Sequence, residues 1–273
     1  MSGDGLRILI TNDDGARAPG IALLEEIARE LSDDVWVVAP EFDQSGVSHA
    51  ISLHEPLRVF RAEERRFFVK GTPADCVLLG VEHLVPGKRP DLVLSGVNRG
   101  GNIADAIAYS GTVGAAMTAL TMDIPAIALS QLFRDVANVH WATARAFAPD
   151  LVRRLLTVDW PRKVLFNVNF PAVPPSDVAG FAFCRPAHGL IGGVHVDERT
   201  DVRGQTYHWI SFRRAEASIE DAESDIVALR NHRITVSPLR PDRHAEPDWA
   251  EMRAAHGDLF DGLRLADPSG AAV

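Results

Sequence analysis

Asp13 and Asp14 stand side by side where an apolar run stops: Leu6-Arg7-Ile8-Leu9-Ile10-Thr11 gives way to Asn12-Asp13-Asp14-Gly15. Adjacent carboxylates repel unless a proton or a cation comes between them. Oxygen donors of this kind suit a hard divalent ion such as Mg²⁺, Mn²⁺ or Ca²⁺. Two further segments offer compatible donors: Ser45 in Glu41-Phe42-Asp43-Gln44-Ser45-Gly46, and the hydroxyl and amides of Ser95-Gly96-Val97-Asn98-Arg99-Gly100-Gly101-Asn102. If the strands before them are parallel, all three segments lie on one sheet edge, the edge at which open α/β sheets bind ligands. Two carboxylates, a hydroxyl and an amide oxygen would then converge as an all-oxygen set around one ion, with positions left for water. Each segment alone is ordinarily a turn; their recurrence after successive strands is what points to a site.

Tyr109-Ser110-Gly111-Thr112-Val113-Gly114 adds a place for an anion. Hydroxyls and small residues open a helix here, and a helix N-terminus offers unpaired N–H groups and a favourable dipole to phosphate. Plain capping by Ser110 or Thr112 is the structural alternative. A hard cation beside an anion cradle suggests phosphoester hydrolysis. Gly71-Thr72-Pro73-Ala74-Asp75-Cys76 reads as another helix start, with Thr72 as cap and Asp75 favouring the dipole. His49 and His54 lie near the Ser45 segment and receive no catalytic role.

Strands alternate with helices over the first two thirds of the chain, which implies βαβ crossovers and a mainly parallel sheet flanked by helices. Strands are expected at the first apolar run, Val35–Ala39, Ile51–Leu53, Leu57–Phe60, Phe67–Val69, Leu92–Leu94, Ala126–Leu129 and Val164–Val168. Helices are expected after the first strand, over Pro73–Leu84 and Val113–Thr121, and over His140–Leu156. After about Pro171 the rhythm becomes hairpin-like: Phe181–Phe183, Val194–Val196 and Tyr207–Phe212 read as strands of an arm. Asp225–Arg230 reads as a short helix and Ile234–Val236 as a last strand closed by Pro238. The expected organisation is one α/β domain over 1–239, with the arm within about 180–215, then a polar tail over 240–273 with a weak helix near Trp249–Ala255 and disorder over its last few residues.

The 273 residues are 46% hydrophobic and 24% charged, an ordinary globular balance with enough apolar residues for a large core. A net charge of −9 without a Lys/Arg run argues against duplex nucleic acid as a partner. Cys76 and Cys184 form no CxxC and read as buried thiols, and no basic, apolar leader is visible over 1–5, so a cytoplasmic protein is expected. The uncharged segment after Asp105, Ala106–Met122, is too short and too rich in Ser, Thr and Gly for a membrane span and reads as a buried helix. GxGxxG after the first strand, GxxxxGK[ST], HExxH and GxSxG are all missing from the sequence.

Taken in order, the strings Ile8–Gly15, Val37–Pro40, Gly71–Val77, Asp91–Gly100, Tyr109–Ala116, Asn167-Val168-Asn169-Phe170-Pro171 and Val236–Leu239 resemble the SurE family, the stationary-phase survival proteins that are metal-dependent nucleotidases. The resemblance implies a Rossmann-like core with an extended hairpin arm used in oligomers, a homodimer or homotetramer. It implies a 5′-nucleotidase hydrolysing nucleoside 5′-monophosphates, and 3′-monophosphates as well, with one divalent ion per subunit, Mg²⁺ or Mn²⁺. The family's metal ligands fall on Asp13, Asp14, Ser45 and Asn98, with Asp13 and Asp14 catalytic. Its phosphate site falls on Ser110, Gly111 and Thr112, beside Asn98. Ser48-His49-Ala50 departs from a frequent Gly-His-Ser, and Asn231-His232-Arg233 from a Gly-Tyr-hydrophobic string. Two other readings stand beside this one: a phospho-receiver module, in which Ser95 would occupy the phosphoacceptor position, and a catalytically silent nucleotide-binding protein.

Overall fold

Alternation of side chains along the first apolar run decides the architecture. Ile8 and Ile10 face one way and Leu9 the other, and all three are fully buried, so this strand must be covered on both sides. In the computed structural model, which describes residues 5–159, 163–215 and 221–241, it lies next to the central strand of a sheet packed between two layers of helices. The elements run β1 (Arg7–Thr11), α1 (Pro19–Arg29), β2 (Asp34–Pro40), β3 (Arg58–Glu63), β4 (Arg66–Lys70), α2 (Pro73–Leu79), β5 (Leu92–Arg99), α3 (Gly111–Thr121), β6 (Ala126–Gln131), α4 (Trp141–Thr157), β7 (Leu165–Phe170), β8 (Gly180–Phe183), β9 (Ile191–Thr200), β10 (Thr206–Arg214), α5 (Asp225–Arg230) and β11 (Arg233–Leu239). Among the described residues the large sheet has nine strands in the order β3-β4-β2-β1-β5-β6-β7-β11-β8. Only the β3–β4 and β7–β11 pairs are antiparallel. The expected α/β class with a mainly parallel sheet is therefore observed.

Two cores follow from the alternation. Ile8, Ile10, Val37, Leu94, Leu129 and Val168 pack under α1 and α4. Leu9, Val38, Val93, Ala128 and Leu165 pack under α2 and α3. At ~1.5–3 kcal/mol for each fully buried aliphatic side chain, these layers dominate the stabilisation. β1, β2, β5 and β6 are parallel neighbours, so the segments that follow them open at one edge.

Several boundaries differ from the sequence reading. Ile51–Leu53 is not a strand: the Ser52 N–H and hydroxyl both donate to Asp75, at 2.9 and 2.8 Å, and hold this segment as a loop. β5 continues through Arg99, with an irregular register between Ser95 and Asn98, so Asn98 is a strand residue. α2 ends at Leu79 and passes into a wider π turn, Gly80–Leu84. Phe181–Phe183 belongs to β8, which pairs in parallel with β11 as the edge of the main sheet. The arm itself is the antiparallel hairpin β9–β10. Pro238 lies inside β11, opposite Phe166. The segment Ala106–Met122 forms a short 3₁₀ turn and then α3, and among the described residues no helix is long and apolar enough to cross a membrane. The tail helix expected near Trp249–Ala255 and the disorder expected beyond it lie outside the described residues.

Candidate active site

β1 delivers Asp13 and Asp14 to the carboxyl edge of the sheet, where the two neighbours part. Asp13 turns to the N-terminus of α3: its Oδ1 accepts from the Thr112 hydroxyl at 2.6 Å and its Oδ2 from the Thr112 N–H at 2.9 Å. Asp14 turns toward β5, and its Oδ2 accepts from the Arg99 N–H at 2.8 Å. Asp13 is 3% exposed. Burial, reinforced by the neighbouring charge of Asp14 and opposed by the Thr112 hydroxyl, pushes its pKa up to about 6. Asp14 is raised as well, by burial first and by the charge of Asp43, against the Arg99 N–H and guanidinium.

The chain neighbours of the other two expected residues, Arg99 beside Asn98 and Gln44 beside Ser45, bond to this pair. Asn98 is buried at the end of the β5 run. Its Nδ2 donates to Gly100 O at 2.8 Å, which leaves its Oδ1 as the oxygen available to a ligand. Ser45 is exposed on the loop after β2; the neighbouring Gln44 N–H donates to Asp13 O at 2.7 Å and draws the loop against the acids. The same loop passes so close to α3 that a Cβ at Gly114 would lie 2.3 Å from Ser48 O. Ser48, where the family often has glycine, keeps a left-handed φ of 58°, and its hydroxyl donates to Ala108 O at 2.6 Å.

At α3 the structure shows the capping alternative. Ser110 is the N-cap, its Oγ accepting from the Val113 N–H at 3.0 Å. Thr112 is committed to Asp13. A Cβ at Gly111 would lie 2.9 Å from Asp13 Cβ, so the helix start abuts the acid directly. His49 contacts α3 through Thr118, at 2.8 Å. Cys76 and Cys184 are free and buried, as expected.

A cavity of about 350 Å³ opens beside Asp14, bounded by Arg17, Phe42, Asp43, Arg99 and Trp141. Sequence reasoning missed this feature, although it quoted Phe42, Asp43 and Arg99 within strings: its walls come from the turn before α1, the loop after β2, the end of β5 and the start of α4. A larger hollow of about 620 Å³ between α4 and β8 is lined mostly by apolar residues, including Phe147, Phe181 and Phe183. It contains none of the expected site residues.

The donor chemistry fits a hard cation. Buried Asp13 and partly buried Asp14, both with raised pKa values, share one edge with an amide oxygen and a nearby hydroxyl, and a divalent charge there would hold both carboxylates ionised. Among the described residues no group of three or more His, Cys, Asp and Glu is gathered as a metal cage; the expected set contains only two acids and relies on neutral oxygens for the rest.

Fold and site thus define an α/β protein with an acidic strand edge beside a helix N-terminus, an arrangement suited to phosphate chemistry. The family described as "Survival protein SurE" matches residues 8–191, and the chain belongs to it. It is 52% identical over 240 residues to the 5′-nucleotidase SurE of Caulobacter vibrioides, covering 87% of this chain and 91% of that one. It is 48% identical over 251 residues to 5′-nucleotidase SurE 1 of Burkholderia lata, covering 92% and 96%. The crystal structure of the SurE protein from Aquifex aeolicus superposes with a TM-score of 0.78 at 33% identity, covering 92% of this chain and 99% of that one. The receiver reading is set aside: Ser95 is fully buried inside β5.

Proposed function

We propose that this chain is a divalent-metal-dependent phosphomonoesterase that hydrolyses nucleoside 5′-monophosphates, with 3′-monophosphates as a second substrate class, to nucleoside and phosphate. The observation that carries the reading is the meeting of Asp13, Asp14, the Asn98–Arg99 pair and the N-terminus of α3 at one sheet edge, beside a cavity. Family membership and curated 5′-nucleotidase relatives support the same activity.

Asp13, Asp14, Ser45 and Asn98 would hold one Mg²⁺ or Mn²⁺ per subunit. When bound, such an ion stabilises phosphoryl oxygens and lowers the pKa of the attacking water. The remaining work falls to the chain. The start of α3, Ser110–Thr112, presents the positive end of the helix dipole to the phosphate. Thr112 fixes the Asp13 carboxylate through both its oxygens. That engagement favours water over Asp13 as the nucleophile. The Arg99 N–H fixes Asp14, and the guanidinium groups of Arg99 and Arg17 bound the cavity, where they offset phosphate charge in an acidic protein. The nucleoside enters that cavity, with Trp141 and Phe42 as stacking surfaces.

The exposed Trp209, Ile210 and Phe212 of the arm support a homodimer or homotetramer, and the two free thiols suit the cytoplasm. The test is phosphate release from AMP and the other mononucleotides with Mg²⁺ or Mn²⁺, before and after chelation. Hydrolysis that stops in excess EDTA and returns with metal is expected. Full activity in EDTA would remove the metal role, and tight AMP binding without release under any divalent ion would make the chain a silent binding protein.

A further inference from the structure

Asn167 and Asn169 occupy positions in β7 that a buried strand ordinarily fills with aliphatic residues. Both are 0% exposed. Alternation puts them on the same face as Leu165, which packs in the core under α2 and α3. Burying two amides there is costly unless they are well partnered. Asn167 is only half satisfied, since its Oδ1 has no protein partner. Their bonds lead instead to one residue of the loop after β5. Asn169 Oδ1 accepts from the Asn102 N–H at 2.9 Å, and Asn169 Nδ2 donates to Asn102 O at 3.1 Å. Asn167 Nδ2 donates to the same Asn102 O at 2.8 Å. The Asn102 side chain in turn donates to Ser130 Oγ at 2.9 Å.

This loop follows directly on Asn98 and Arg99, the last two residues of β5, and the register ties the bonds to Asn98. Asn98 pairs with Ser130 of β6, and Ser130 pairs with Asn169 of β7. One transverse row therefore joins the expected metal ligand to the residues that grip Asn102. Gly101 between them is pressed against Leu132, whose Cδ1 would lie 2.7 Å from an added Cβ. The other buried hydroxyls on the neighbouring strand, Thr235 and Ser237, stand opposite Asn169 and Asn167 but make no bond to the loop and have no protein partner at all.

We propose that Asn167 and Asn169 are positioning residues: through Asn102 they clamp the loop that leaves β5 just after Asn98, and so fix the Asn98 oxygen where it completes the metal shell with Asp13 and Asp14. The inference rests on the metal reading given above. It also explains why β7 keeps an Asn-Val-Asn pattern although Asn167 returns little to the fold.

The test compares Asn167→Leu, Asn169→Leu, Ser237→Ala and Asp14→Asn in the full chain. The readouts are Mn²⁺ affinity by electron paramagnetic resonance, melting temperature without metal, and kcat and KM for AMP. Asn169→Leu is expected to weaken Mn²⁺ binding by about tenfold or more and to speed amide exchange at Gly100–Asn102, with exchange in β11 unchanged. Asn167→Leu is expected to weaken Mn²⁺ severalfold while leaving the metal-free melting temperature unchanged or higher, and this opposite movement is one that a purely structural role would not give. In both variants kcat at fixed subsaturating Mn²⁺ falls and excess Mn²⁺ restores it. Ser237→Ala is expected to bind Mn²⁺ as the wild type does. If Asp14→Asn abolishes Mn²⁺ binding while both asparagine variants keep wild-type affinity, the clamp is wrong and the metal site stands. If Ser237→Ala weakens Mn²⁺ as much as Asn169→Leu, the effect is general loosening and the clamp is again overturned. If Asp14→Asn binds Mn²⁺ as the wild type does, the metal reading fails first and the clamp falls with it.

Discussion

Asp13 and Asp75 are two aspartates at nearly equal burial, 3% and 2% exposed, each bonded to a threonine near the start of a helix. Asp75 accepts from the Thr72 N–H at 2.9 Å and from the N–H and hydroxyl of Ser52. The Thr72 hydroxyl returns a bond from the Asp75 N–H, which completes a capping box on α2. Every neighbour of that carboxylate is a donor. Asp13 also takes two bonds from its threonine, but it faces a second acid, and its pKa is pushed up to about 6. Burial alone therefore does not mark a functional acid. What separates the two is whether the carboxylate's surroundings are complete without a ligand: Asp75 closes a local structure, and Asp13 leaves charge for something else to balance.

The contrast breaks first on activity. Asp14→Asn is expected to lower kcat/KM for AMP by about 10²–10³-fold or more, whereas Asp75→Asn leaves kcat per folded molecule unchanged in a steady-state phosphate-release assay. Near-wild-type rates in Asp14→Asn would erase the distinction. On stability the ranking reverses. Asp75→Ala strands the donors of Ser52 and Thr72 and is expected to cost about 2–4 kcal/mol in urea unfolding, with Asp13→Asn costing nothing in the metal-free protein.

The pH dependence sharpens the difference. Because the folded-state pKa of Asp13 lies above its ordinary 3.8, at about 6, the fold binds that proton more tightly than the unfolded chain does. This group's favourable contribution is complete below pH 4 and is lost as pH rises through 6. Metal-free Asp13→Asn should therefore be more stable than wild type by roughly 1–3 kcal/mol at pH 7.5 and equal to it at pH 4. A difference independent of pH would show that Asp13 is not the group responsible. The smallest effect belongs to the cavity: Trp141→Ala is expected to raise KM for AMP by about tenfold, with a smaller change in kcat, from the loss of a stacking surface. An unchanged KM would place the nucleoside elsewhere.

The acidic edge was legible in the sequence because a buried strand ends abruptly in acids, and a parallel sheet brings such ends together. Asn98 was singled out only by the family resemblance: its segment also offers Asn102, and β5 runs on through it. Features assembled from distant segments left no local trace. The Trp141 cavity takes its walls from four separate segments, and the Asn102–Asn169 bonds join residues 67 apart. Phe181–Phe183 carries the alternation of any short strand, and its partner, β11, begins fifty residues later at Arg233; nothing nearby distinguishes an edge strand from an arm. Ile51–Leu53 misleads because an apolar triplet satisfies a strand pattern, while Ser52 within it is claimed by Asp75 through bonds that no periodicity reveals. The capping box of Thr72 and Asp75, by contrast, is local and reads directly from spacing.

The most direct measurement is anomalous diffraction from crystals equilibrated with Mn²⁺. A single peak per chain is expected at the edge of β1, about 2.0–2.2 Å from carboxylate oxygens of Asp13 and Asp14 and from Asn98 Oδ1. No peak at that edge under saturating Mn²⁺, or a peak that touches neither aspartate, would contradict a metal centre built on this pair.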